Sequence, residues 1–196
     1  MGIIKNEEFN SIVSAIRNDK QLEEAIDIVC CMTFLEENIE LSEYNKEYNC
    51  KSNLNGHVFA DDGCGGVYIL LEDNSIGHIG YSQSESGRVA NNLNELLELE
   101  LNLAFSWHNY GLQFQKLTKE LVKSYEIEGR EQFEDAFGED YDENKDFIAK
   151  KLNLKLSNNL LDEVITKMYK LAKSEHLFET TQSFDDEVIH FKNIVK

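Results

Sequence analysis

The chain has 196 residues, of which 41% are hydrophobic and 29% charged, enough for one folded domain with its own core and unlike a disordered chain. Its 37 acidic residues against 19 basic ones leave a formal charge of −18. Such a polyanion is repelled by phosphate backbones and anionic lipid, so no nucleic acid and no membrane is expected as a partner, whereas a basic protein would be attracted.

In chain order, Phe9, Ile12, Val13 and Ile16 are spaced for a helix over residues 6–18. Asp19 is placed to cap a second helix running to about Glu37, with Leu22, Ala25, Ile26, Val29, Met32 and Phe34 as its apolar set. Residues 40–56 are polar and Asn-rich and read as a loop or irregular strand. The period then changes: 57–60, 66–72 and 75–81 are short runs rich in Val, Ile, Tyr and Leu, parted by ADDGCGG and EDNS, and they predict an antiparallel meander with a tight turn at Asp73-Asn74. Ser84-Glu85-Ser86-Gly87 reads as the opening of a strong amphipathic helix, with Val89, Leu93, Leu96, Leu97, Leu101 and Ala104 in one stripe. Helices follow over about 112–126, 143–152 and 158–173, and Val188 to Phe191 alternates like a strand. Consecutive strands followed by helices make the class α+β. The core is expected over about 20–105 and a helical extension over about 106–196, in a single domain 1–196.

The motifs that suggest chemistry fail on inspection. Asp61 to Gly66, DDGCGG, leads into a strand and lacks the Lys of a phosphate loop, so a tight turn or bulge is expected. Asp140, Asp142 and Asn144 begin like a calcium loop, but Lys145 and Lys151 stand where Gly and a bidentate Glu are needed; the segment reads as the acidic start of a helix. Cys30, Cys31, Cys50 and Cys64 form no C-x-x-C pair, and no histidine lies at zinc-ligand spacing from them. Free thiols, no metal and no cofactor are therefore expected. The start, MGIIKNEEFN, does not read as a signal peptide, Asn6 breaks the myristoylation pattern, and no run approaches the roughly 18 apolar residues of a membrane span. A cytoplasmic location is expected. Glu126 to Asp146 is the most acidic stretch, with Phe133, Phe137 and Tyr141 interleaved, a pattern that suits either a solvated helical face or an interface for a basic protein.

Asn55 to Leu99 carries several short motifs in order: F-A-x-D-G-x-G-G (Phe59 to Gly66), an Asp-x-x-Ile-Gly hairpin (Asp73 to Gly77), and S-E-x-G-R-x-A leading to L-x-E-L-L (Ser84 to Leu97). About a quarter of the chain in this way resembles the SUKH superfamily, that of the fungal cell-wall-synthesis regulator and its bacterial relatives. DFIAKKLNL and LLDEVITKMY are also similar to the C-terminal helices of bacterial members. The proline-containing segment common before the first strands is absent, and Asn74 stands where glycine is common. The resemblance implies a curved, mainly antiparallel sheet flanked by helices. It also implies an immunity protein that neutralises a toxin of a bacterial polymorphic or contact-dependent system, nucleases included.

Two other readings stand beside it: a non-catalytic scaffold of the cell-wall-regulator type, and an enzyme using Cys64 or the Asp61–Asp62 pair. The chain is read as non-enzymatic, with no catalytic residues. The expected partner-binding residues are Asp61, Asp62, Glu85, Glu131, Glu134, Asp135, Glu139, Asp140, Asp142 and Glu143. The motif glycines Gly63, Gly65, Gly66, Gly77 and Gly87 are expected to serve the fold.

Overall fold

The computed structural model describes residues 6–81, 84–103, 114–138, 141–174, 177–184 and 187–195. Helix α1 (Glu7–Arg17) starts where the Asn6 side chain accepts the Phe9 N–H, and α2 (Lys20–Cys30) starts where Asp19 accepts the Leu22 N–H. α2 then ends well before Glu37. Cys31 takes the left-handed conformation at φ 46°, and Thr33–Glu40 is strand β1. Within the expected loop, Leu41–Glu47 forms a short helix, α3, burying Leu41 and Tyr44, and Cys50–Ser52 forms β2.

The meander is β3 (Gly56–Asp61), β4 (Val67–Leu71) and β5 (Ile76–Gly80), each antiparallel to the next. Asn74 turns the second hairpin at φ 69°. The segment read as a helix start is instead the next strand, β6 (Glu85–Ala90), antiparallel to β5. Val89 therefore belongs to the sheet, and α4 (Leu93–Leu103) begins only after it. The polar, glycine-bearing SESGR stretch lacks helical spacing of its own. It is buried because neighbouring strands and the C-terminal segment close over it.

Next come a 3-10 turn (Phe114–Lys116), α5 (Lys119–Phe137), α6 (Tyr141–Leu152), a π-helical turn (Leu160–Ile165) and α7 (Thr166–Ala172). The chain closes with β7 (Thr180–Phe184), β8 (Glu187–His190) and β9 (Lys192–Asn193). The expected helix over 112–126 is thus shifted toward the C-terminus, and β7 was not foreseen.

The fold is α+β. One six-stranded sheet runs β1-β3-β4-β5-β6-β9, antiparallel except for the parallel β6–β9 pair; a second sheet runs β2-β7-β8. The large sheet is apolar on both faces. Tyr68, Leu70, Ile76 and Val89 pack in a cluster with Ile26, Leu96, Leu97 and Ile148 from the helices. Val67, Ile69, Leu71 and Ile79 pack in another with Leu41, Tyr44, Phe178 and Phe191. Two-sided burial explains why β4 is a run of large apolar and aromatic residues and why every residue of β5 is buried, its one polar side chain, His78, included.

Candidate functional site

The sequence-predicted acidic residues divide by burial. Asp62 and Glu85 lie inside the fold, at 7% and 2% exposure. Burial takes both carboxylates off the surface a partner would meet, which corrects their expected role. Asp62 is a structural hub of the β3–β4 turn. One carboxylate oxygen accepts the Cys64 and Gly66 N–H groups at 2.8 and 2.6 Å, and the other meets His78 Nε2 at 2.8 Å. Burial raises its pKa, but the hydrogen bond and charge of His78 and the two backbone donors prevail, leaving it below the ordinary value. A Cβ on Gly66 would sit 2.2 Å from Asp62 Oδ2 and 2.6 Å from the Ile79 carbonyl, so only glycine fits there. Nearby, Tyr68 donates its hydroxyl to Glu100 Oε1 at 2.6 Å, in full burial.

Two thiols lie at this turn, Cys31 partly buried and Cys64 exposed. Burial, then the charge of Asp62, raises the Cys64 pKa, and burial together with its neighbours pushes Cys31 up to about 12. An activated thiol requires the opposite shift. Among the described residues, no group of His, Cys, Asp and Glu is arranged to hold a metal ion, and no helix is long and apolar enough to cross a membrane.

The remaining predicted acidic residues that the structure describes are exposed. Asp61 ends β3; partial burial and the charge of Asp62 raise its pKa. Glu139 and Asp140 lie outside the described residues. Glu131, Glu134 and Asp135 on α5, and Asp142 and Glu143 in the first turn of α6, form the main acidic surface. Arg130 joins the two helices, with Nη1 3.2 Å from Asp142 and Nη2 3.3 Å from Glu126. Lys145 adds a partly buried cation whose pKa is lowered by desolvation, against the charges of Glu126 and Asp142.

Glu131, Glu134 and Asp135 differ from these. Among the described residues, no cation pairs with any of them. They sit in the last two turns of α5, where the helix dipole is negative, and the last turn holds no basic residue. Each acid in a last turn costs a helix about 0.3–1 kcal/mol, and like charges at i, i+4 such as Glu131 and Asp135 cost a few tenths more. Two large apolar residues share this exposed surface. Ile127, one turn before Glu131, is 45% exposed, and Phe137, three residues after Glu134, is 44% exposed. Phe133 and Tyr141 point inward and meet edge to face at 5.2 Å, while Phe137 lies against Phe133 at 5.0 Å. Tyr141 further donates to the Leu101 carbonyl at 3.0 Å, fixing α6 onto α4. The surface is therefore an acidic helical face carrying two apolar anchors, mounted on a packed interior. Sequence reasoning missed Ile127, although its position four residues before Glu131 marks it as part of the same stripe.

Comparison with protein-family models, with curated proteins and with solved structures finds no match to the chain.

Proposed function

We propose that the chain is a cytoplasmic immunity protein, one that binds and neutralises a basic toxin of a bacterial polymorphic or contact-dependent system, a nuclease in the first instance, by one-to-one protein association. The observation that carries this reading is the α5 surface. Glu131, Glu134 and Asp135 are exposed, lack cationic partners among the described residues and oppose their own helix dipole, beside the exposed Ile127 and Phe137. Charges that cost their helix stability are explained by a partner that needs them. Carboxylates around apolar anchors suit a cationic protein surface, where the anchors supply affinity and the charges supply rate and selectivity. The motif order from Phe59 to Leu97 supports the same class of role. The reading assigns no catalytic residue, no cofactor and no metal.

The test is recovery of the partner. The tagged chain is purified at low salt from its source cell, and also mixed with the product of the adjacent reading frame. The expected result is one basic protein at near-equal stoichiometry, released by raised salt, whose toxicity the chain suppresses. Recovery of a housekeeping assembly would favour the regulatory-scaffold reading. Failure to bind or protect against the neighbouring product, with nothing co-purifying, would overturn the immunity reading.

A further inference from the structure

The small sheet ends in an edge that is apolar on both faces. β8 is the outermost strand of the order β2-β7-β8, and all four of its residues are exposed. Val188 is 57% and Ile189 38% exposed, and Phe184 on β7 is 51% exposed. Ile189 pairs with Gln182, Phe184 with Glu187 and Val188 with Ser183. Directly opposed residues share a face and successive ones alternate, so Phe184 and Ile189 lie on one face and Val188 on the other. Edge strands are commonly blunted by lysine, proline or a bulge; β8 reads Glu-Val-Ile-His and has none of these.

The direction of its backbone groups follows from two bonds. Phe191 N–H donates inward to the Thr180 carbonyl at 2.9 Å, and Ser183 N–H donates away from β8 to the Asn49 carbonyl at 3.0 Å. Antiparallel alternation then turns the N–H and C=O groups of Val188 and His190 outward, away from β7. The edge presents a short row of donors and acceptors with apolar side chains above and below it.

We infer that β8 takes up an extended cationic segment of the partner as an added strand, one whose apolar and basic side chains alternate. This inference rests on the reading of the chain as the binder of a basic protein. Main-chain bonds to Val188 and His190 would hold the segment; its apolar side chains would cover Val188 on one face, and its basic side chains, all on the other, would lie over Ile189 and Phe184 and reach Glu187. The sign of its charge follows from the chain. The total is −18, Glu187 lies on the Phe184–Ile189 face, and Asp185 and Asp186 precede it in sequence. A second copy of this chain is disfavoured as the occupant, because it would set like charges against one another along the edge.

The test uses the full chain and a short synthetic peptide of alternating valine and lysine. A control peptide of the same sequence has its valine nitrogens methylated, which removes donors and keeps charge. Residue-resolved amide exchange and affinity are measured on the wild type and on Val188→Pro and Val188→Lys. Proline at 188 removes an outward N–H and the valine side chain but no bond to β7, the kind of position at which edge strands accept it; lysine leaves the backbone intact and adds repulsion, so the test survives if the proline variant does not fold. The expected results are slowed exchange at Val188 and His190, loss of that protection with the methylated peptide, and affinity lowered about tenfold in each variant, the scale of a lost backbone hydrogen bond with some packing. Unchanged exchange at β8, or affinity indifferent to both substitutions, would overturn the inference. Peptide protection on α5 in place of β8 would sink strand addition and leave the basic-partner reading standing. Failure of the partner recovery described above, with the peptide still held at β8, would do the reverse.

Discussion

Two sets of carboxylates in this molecule are treated in opposite ways. Asp62 and Glu100 are buried and answered: Asp62 by His78 and two backbone N–H groups, Glu100 by the Tyr68 hydroxyl. Glu131, Glu134 and Asp135 are exposed and, among the described residues, unanswered by any cation, at the end of α5 where negative charge is least welcome. The first set stabilises the fold, since a buried polar group must be satisfied. The second set does not, and its persistence points outward. Acidity alone does not separate the two roles; the local counterions do.

The largest way to break this comparison is Asp62→Ala. It deletes three hydrogen bonds, leaves His78 in the interior without its carboxylate and loosens the turn around Gly66, so a loss of about 3 kcal/mol in chemical denaturation is expected. The pH dependence carries the same signature. The folded pKa of Asp62 lies below its unfolded value near 3.8. Its stabilising contribution is therefore complete above that value and is lost as pH falls through it toward the folded pKa. Asp61, raised in the fold, acts in the opposite sense, so its small penalty at neutral pH is relieved on acidification. Acid titration of the wild type should show a steeper loss of stability below about pH 4 than that of Asp62→Ala.

Next in size is Tyr68→Phe, which removes the buried donor to Glu100. A cost of about 1–2 kcal/mol is expected, read from the denaturation midpoint at unchanged slope. The smallest effect on stability has the opposite sign. Joint replacement Glu131→Gln, Glu134→Gln and Asp135→Asn removes an unfavourable dipole interaction and like-charge pairs, so stability should hold or rise by about 1 kcal/mol.

Much of this fold was legible because its signals are local. The Asp19 cap acts three residues along the chain, and the Asp73-Asn74 turn sits between two apolar runs. The errors came where the deciding contacts are distant. Thr33–Glu40 lacks two-residue alternation, and its strand state is set by pairing with β3. Glu85 to Ala90 is strand because β5 and β9 flank it. In the site, the acidic run and its aromatics were visible, but their directions were not. Phe133 and Tyr141 turn inward and Phe137 outward because α6 packs over one side of α5. Asp62 read as a surface acid because His78, sixteen residues on, is brought to it only by strand pairing. The Asp-x-Cys-x-Gly spacing, which suits a side chain accepting from N–H groups two and four residues ahead, was the local hint.

The most direct test is to compare the Glu131→Gln, Glu134→Gln, Asp135→Asn variant with the wild type in two readings: thermal stability, and low-salt affinity for the partner that co-purifies. The account predicts unchanged or higher stability with affinity reduced by at least about tenfold and a shallower salt dependence. Full affinity in the variant, or a loss of stability that accounts for weaker binding, would contradict it.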